Sequence, residues 1–181
     1  MKNNIIGRKS EQDTLARIYE SRQSEFVAVC GRRRVGKTFL VREYFEQEMV
    51  FQTSGLAGGN TQEQLKNFFY TLRRYDRNVT SVPHDWLDAF EMLITYLDSL
   101  NGIERKVIFL DELPWMDTAG SNFISALEHF WNGWASARRD IVLIVCGSAT
   151  SWMMDKLINN HGGLYGRLTH RLFLQPFSLG E

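Results

Sequence analysis

Short uninterrupted apolar runs alternate along this chain with longer stretches in which apolar residues recur every three or four positions. Phe26 to Cys30, Met49 to Thr53, Lys106 to Asp111, Ile141 to Cys146 and Arg171 to Gln175 read as five strands. The most continuous of these have the composition of strands buried on both faces. Ser10 to Ser21 reads as a helix with Ser10 as N-cap, Asp13 at N3, and Leu15 and Ile18 on its inner face. Lys37 to Glu48 reads as a second, with Phe39, Leu40, Tyr44 and Phe45 as its apolar stripe. Gly55, Gly58, Gly59 and Asn60 mark a loop, after which Thr61-Gln62-Glu63-Gln64 resembles a capping box opening a helix with Leu65, Phe68, Phe69 and Leu72 inward. Asp85 to Leu100, stopped at Asn101-Gly102, Asn122 to Ala137 and Ser151 to Asn159 complete the helical set. Strands alternating with amphipathic helices predict an α/β domain built on a parallel sheet.

The first strand runs into Gly31-Arg32-Arg33-Arg34-Val35-Gly36-Lys37-Thr38, a complete Gly-x-x-x-x-Gly-Lys-Thr pattern that opens the next helix. Glycines let the backbone curl until successive N–H groups point at phosphate oxygens, and the positive end of the following helix favours the same anion. Lys37 can reach the β- and γ-phosphates, and the Thr38 hydroxyl is a Mg²⁺ ligand. Gly31, Arg34, Val35, Gly36, Lys37, Thr38 and Phe39 are the expected nucleotide-binding residues. Three consecutive arginines raise the local positive potential, although each singly reads first as facing solvent or a partner.

The strand Lys106 to Asp111 ends in two acids, Asp111 and Glu112. At a strand's C-terminal edge, Asp111 is placed to accept the water shell of Mg²⁺. Glu112 is placed to polarise a water attacking the γ-phosphate. Ile141 to Cys146 ends in Gly147-Ser148-Ala149-Thr150, where Ser148, or second Thr150, is a candidate for a hydrogen bond to the γ-phosphate; Thr150 reads equally as a helix N-cap. Arg167 follows the flexible Gly162 to Gly166 and is the candidate arginine for transition-state charge, with Arg171 read as readily in a surface ion pair. The candidate catalytic side chains are therefore Lys37, Glu112, Ser148 and Arg167.

Bulk properties change this picture little. The 181 residues suit one domain, and a 44% hydrophobic, 23% charged composition is that of a folded globular chain. Lysine plus arginine and aspartate plus glutamate both number 21, so the total gives no basic or acidic face. No helix with clustered Arg or Lys stands out as a nucleic-acid reader. The chain has no apolar run long enough for a bilayer and no secretion signal at its start, which predicts no membrane partner and a cytoplasmic protein. Cys30 and Cys146 read as buried free thiols.

Taken in order, Ile6-Gly7-Arg8, Gly31 to Thr38, Phe109 to Trp115, Cys146-Gly147-Ser148 and Tyr165-Gly166-Arg167-Leu168 through Phe177 resemble the prokaryotic archaeal-type ATPases of the AAA-like and STAND P-loop group. The resemblance implies a three-layer P-loop NTPase fold with a five-stranded parallel sheet in the order 5-1-4-3-2. It carries Asp111 to the metal, Glu112 to the water, Ser148 to the sensor position, and Ile6, Gly7 and Arg8 to the base side of ATP. Under that order Cys30 and Cys146 end adjacent strands. Residues 1–181 correspond to the ATPase core of such proteins, stopping about where a helical lid begins; nucleic acid is then expected only through domains outside it. The expected activity is Mg²⁺-dependent ATP binding and hydrolysis that drives a conformational switch. Two other readings compete: an ATP-gated interaction module with little hydrolysis, to which a second copy or a protein partner would bind through groups such as Trp115 and Trp152, and a P-loop kinase acting on a small molecule.

Overall fold

Residues 5–159 and 161–177 are described by a computed structural model. Five strands form one sheet in the order β2-β3-β4-β1-β5, with every pairing parallel: β1 Glu25–Cys30, β2 Met49–Ser54, β3 Lys106–Asp111, β4 Ile141–Gly147 and β5 His170–Phe173. Read from the other edge, this is the expected order.

Successive residues of a strand point to opposite faces, and two separate cores result. Phe26, Ala28 and Cys30, with Ile108, Leu110, Leu143 and Val145, face α3 (Thr61–Tyr75), α4 (Trp86–Ser99) and α6 (Phe123–Gly133). Val27 and Val29, with Val107, Phe109, Val142, Ile144 and Cys146, face α1 (Lys9–Glu20) and α2 (Lys37–Tyr44). Helices on both faces give the three layers of a parallel sheet buried on both sides. Cys146 pairs in register with Val29, one residue before Cys30, so the two thiols end neighbouring strands but point into different cores. Both are free and buried, so no disulfide joins them.

Several element ends differ from the sequence reading, each for a physical reason. Ser10 lies inside α1; the N-cap is Arg8, left-handed at φ 56° and without a side-chain cap, because tertiary bonds fix its guanidinium instead. The capping box of α3 begins one residue earlier than expected. Asn60 accepts from Glu63 N (3.0 Å) while Glu63 Oε2 accepts from Asn60 N (2.8 Å), consistent with Asn outranking Thr at an N-cap. Asp85 caps α4 by accepting from Asp88 N at 2.9 Å. Helix α2 stops at Tyr44, since the carbonyl of Phe45 accepts from both Glu48 N and Met49 N and turns the chain into β2. Beyond Gly133, α6 gives way to a 3-10 turn at Ala135–Ala137, and α7 (Thr150–Met153) widens into a π-turn at Met154–Ile158. The short helix α5 (Leu113–Met116) has no signal in the apolar periodicity.

The end of the sheet opposite the phosphate loop, where β3 and β4 begin, is held by ionic groups. Lys106 Nζ and Arg138 Nη2 both donate to Asp140 Oδ2, at 2.6 and 2.8 Å. Arg138 and Lys106 hold the Asp140 carboxyl far below the usual carboxylate range, against the opposing effect of burial.

Candidate nucleotide site

The loop Gly31 to Gly36 begins where β1 ends, under a crossing chain. Leu174 N donates to Cys30 O at 2.8 Å, and a Cβ added at Gly31 would lie 2.5 Å from Leu174 O. With φ at +146°, only glycine suits this position on both steric and backbone grounds. Helix α2 starts at Lys37, so its N-terminal N–H groups face the loop. Lys37 is 6% exposed, and its Nζ donates to Gly31 O (2.8 Å) and Arg32 O (2.7 Å), spanning the loop from inside. Anion-binding backbone and an ammonium group therefore converge on one spot.

Across the sheet, β3 delivers Asp111, only 4% exposed. Its Oδ2 accepts from Thr38 Oγ1 at 2.7 Å and its Oδ1 from Glu112 N at 2.9 Å. This pair of hard oxygens suits a small divalent cation, which Thr38 and Asp111 would hold together. Among the described residues no group of three or more His, Cys, Asp or Glu could form an all-protein metal cage. A cation here would depend on phosphate and water for its remaining ligands, which is the mode of Mg²⁺.

Glu112 sits at φ 48°, an uncommon backbone region for a residue with a side chain, and opens α5, where Trp115 N donates to its carbonyl at 3.1 Å. Its side chain lines a cleft of about 660 Å³ together with Arg33, Arg34, Gly36, Lys37, Thr38, Phe39, Gly55, Ala57 and Trp115. A second, mostly apolar cavity of about 210 Å³ adjoins it, formed by Ile5, Ile6, Arg8, Val35, Gly36, Phe39, Leu40 and Phe177.

Most of the expected residues are thus gathered in one place, with some exceptions. Ser148 at the end of β4 and Arg167, exposed after the 162–166 turn, do not line the cleft. Gly7, Gly31 and Asp111 line neither cavity, whereas Ile6, Arg8 and Val35 line the apolar one. The Arg8 guanidinium is committed to the protein itself: it donates to Gln175 O (2.6 Å) and Val35 O (3.2 Å), pairs with Glu11 (3.2 Å) and stands 4.3 Å from the centre of the Phe177 ring. Trp152 is also held within the fold, its Nε1 donating to Asp117 Oδ2 at 3.1 Å, while Trp115 faces the cleft.

Three contributors escaped the sequence reading. Gly55 meets the second acid motif so closely that a Cβ there would lie 2.5 Å from Glu112 O, and Gly55 N donates to Asp111 O at 3.0 Å. Ala57 extends that wall. Gln64, 1% exposed on α3, fastens the loop by accepting from Leu56 N (2.9 Å) and donating to Leu56 O (2.7 Å) and Gly59 O (3.2 Å). The glycines after β2 were the available signal, but a glycine-rich stretch reads as a turn unless its packing partner is known.

Both thiols lie near this site and are held neutral. Burial pushes Cys30 up to about 11, against the lowering effect of Lys37. Burial, with the charge of Asp111 as the next cause, pushes Cys146 higher still. Neither has the microenvironment of a nucleophile.

A parallel sheet with a phosphate loop after β1 and an acid pair at the end of β3 is the fold of a P-loop ATPase. Residues 6–180 match the ATPase domain predominantly from Archaea, and the chain belongs to that family. An uncharacterised protein of Methanocaldococcus jannaschii is 26% identical over 172 residues, 95% of this chain and 36% of that protein. An uncharacterised ATP-binding protein of the same organism is 33% identical over 50 residues, 28% of this chain and 85% of that one. Among solved structures, a Walker-type ATPase of Pyrococcus abyssi superposes with a TM-score of 0.70 at 18% identity, covering 98% of this chain and 55% of its own. Cdc6p of Pyrobaculum aerophilum gives 0.61 at 15% identity, covering 97% and 47%. Drosophila ORC bound to DNA gives 0.64 at 16%, covering 94% and 43%. At these identities the structural likenesses establish the fold. The chain spans about a third of the first relative and about half of these structures.

Proposed function

We propose that this chain binds ATP with Mg²⁺ and hydrolyses it, acting as a nucleotide-driven switch. The observation that carries the reading is the 2.7 Å contact of buried Asp111 with Thr38, which lines the cleft together with Lys37 and Glu112. In this account the loop N–H groups and Lys37 hold the β- and γ-phosphates, and Lys37 exchanges its bonds to Gly31 O and Arg32 O for phosphate oxygens. Thr38 and Asp111 hold Mg²⁺, whose charge offsets that of the phosphates. Glu112 accepts the proton of the attacking water, and its unusual backbone conformation serves to aim the carboxylate into the cleft. The apolar cavity at Ile6 and Phe39 takes the adenine, with Arg8 as a brace of its wall.

One observation favours a second reading, an ATP-gated binding module with slow turnover. Ser148 and Arg167, assigned to the γ-phosphate, do not line the cleft. Calorimetric titration with ATP, ADP and GTP, with and without Mg²⁺, followed by phosphate release on the same sample, separates the two. Mg²⁺-enhanced ATP binding with phosphate release supports hydrolysis; tight ATP binding with no release supports the module. No saturable binding of any nucleotide removes both.

A further inference from the structure

Helix α3 turns Leu65, Phe68, Phe69 and Leu72 inward. Its opposite face is exposed and carries Lys66, Tyr70, Arg73 and Arg74, with Arg77 just past its end. The acids of this stretch are Glu63, occupied by the capping box, and Asp76, whose Oδ1 accepts from Asn78 N at 2.9 Å. Among the described residues none of these four cations forms an ion pair, whereas Arg8, Lys106 and Arg138 all do. The face was invisible in the total charge, which is formally zero, because acids elsewhere in the chain balance it.

A polar outer face is what any amphipathic surface helix presents; the distinguishing property here is an excess of cations, Lys66, Arg73, Arg74 and Arg77 against the carboxylates of Glu63 and Asp76, both of which accept from backbone N–H groups. Arg73 stands 5.9 Å from the centre of the Phe69 ring, which leaves its guanidinium edge open for a bidentate oxyanion contact. The Tyr70 side chain, 55% exposed, adds a hydroxyl to the same face. At the helical rise, Lys66 and Arg74 are roughly 12 Å apart along the axis. A duplex presents a phosphate on each strand about every 3.4 Å of its own axis, so several fall within that reach.

We propose that this face of α3 binds the phosphate backbone of duplex DNA. A duplex is the fitting form because Tyr70 is the exposed aromatic beside these cations, while the part-exposed Tyr75 packs its ring against Phe51 and Tyr96, too few for a platform that stacks unpaired bases. A row of cations along a backbone positions DNA without reading its sequence. The face is also tied to the nucleotide cleft, since Gln64 of the same helix holds the loop whose Ala57 forms part of the cleft wall. The inference goes beyond the proposed ATPase activity and does not depend on it.

The test is fluorescence anisotropy of the intact chain with a labelled mixed-sequence duplex of about two turns. Four phosphate contacts predict a log–log salt slope of about −3.6, an affinity loss of about 10²-fold between roughly 50 and 200 mM salt. Arg73→Glu with Arg74→Glu is expected to weaken binding at least about tenfold and to bring the slope to about −1.8. Arg73→Lys with Arg74→Lys keeps the charge and is expected to retain most of the slope; Arg17→Glu on α1 leaves it unchanged. Circular dichroism confirms that each variant is folded. Absence of saturable binding at low salt, unaltered binding by the folded charge-reversed variant, or preference for phosphatidylserine vesicles or single strands over the duplex overturns the proposal.

Discussion

Thr38 on α2 and Asp111 at the end of β3 are 73 residues apart in sequence, yet the hydroxyl donates to the carboxylate at 2.7 Å. The contact joins the phosphate loop to the acid pair and marks where a cation would be shared. Thr38→Ala is accordingly expected to leave the Mg²⁺-free affinity for ATP unchanged while reducing the gain on adding Mg²⁺ at least about tenfold, the worth of one hydrogen bond to a charged group. Calorimetry with and without Mg²⁺ reads both numbers. Equal losses in the two conditions would show that Thr38 supports the loop rather than the metal.

Lys37→Ala removes an ammonium that bridges two loop carbonyls and, in this account, two phosphates. ATP affinity is expected to fall by roughly 10²-fold, since charge-assisted bonds contribute about 1.5–3 kcal/mol each. Titration of the variant under the wild-type conditions checks it.

Close approach at Gly31 and Gly55 makes a different prediction. In each case a Cβ would lie 2.5 Å from a backbone carbonyl oxygen, of Leu174 and Glu112 respectively. Alanine at either position is expected to destabilise the fold by about 2–3 kcal/mol, the range for forced overpacking. At Gly58, where φ is +72° but nothing lies within 4 Å, alanine meets only backbone strain, expected at about 1 kcal/mol. Urea denaturation ranks the three.

Cys30 and Cys146 are expected to resist a thiol reagent in the native protein at pH about 8 and to react fully on unfolding. The sign follows from burial, which raises the Cys30 thiol from 9.0 to about 11. A group raised in the folded state contributes stability that is complete below the unfolded value and is lost as pH rises through the folded one. The thiol contribution should therefore fade between pH 9 and about 11. Alkaline melts of wild type and Cys30→Ser compare the pH slopes; identical slopes would contradict the assignment.

Asp140 titrates in the opposite sense. Its carboxyl is lowered by Arg138 and Lys106, so its contribution is present above the ordinary carboxylate range and is lost as pH falls toward the folded value. Asp140→Asn leaves the buried Lys106 ammonium without its anion, and a loss of about 1–3 kcal/mol at neutral pH is expected. Chemical denaturation across the acid range checks both the loss and its disappearance at low pH.

Much of this site was legible in the sequence because it depends on short-range pattern. The five strands, the Gly31 to Thr38 loop and the Asp111-Glu112 pair need only a buried run followed by the right residue types. Their order in the sheet came from family resemblance, not from periodicity. Elements governed by distant partners were not legible. Arg8 sits at the start of α1, where Ser10 was expected to cap, because carbonyls of Val35 and Gln175 hold it. Gly55 reads as a turn residue until the chain around Glu112 closes on it. The basic face of α3 required knowing which residues point outward, since the composition averages it away. The role given to Ser148 rests on its place after β4 and on resemblance, that given to Arg167 on the glycines before it; neither side chain lines the cleft.

The central claim is that Glu112 and the phosphate loop form one hydrolytic site. Phosphate release from Mg-ATP, with no acceptor added, by wild type and Glu112→Gln measured alongside ATP binding tests it most directly. The account predicts steady release by wild type, and in the variant a loss of about 10²–10⁴-fold with ATP affinity preserved, as for removal of a general base. Equal release by both proteins would contradict it.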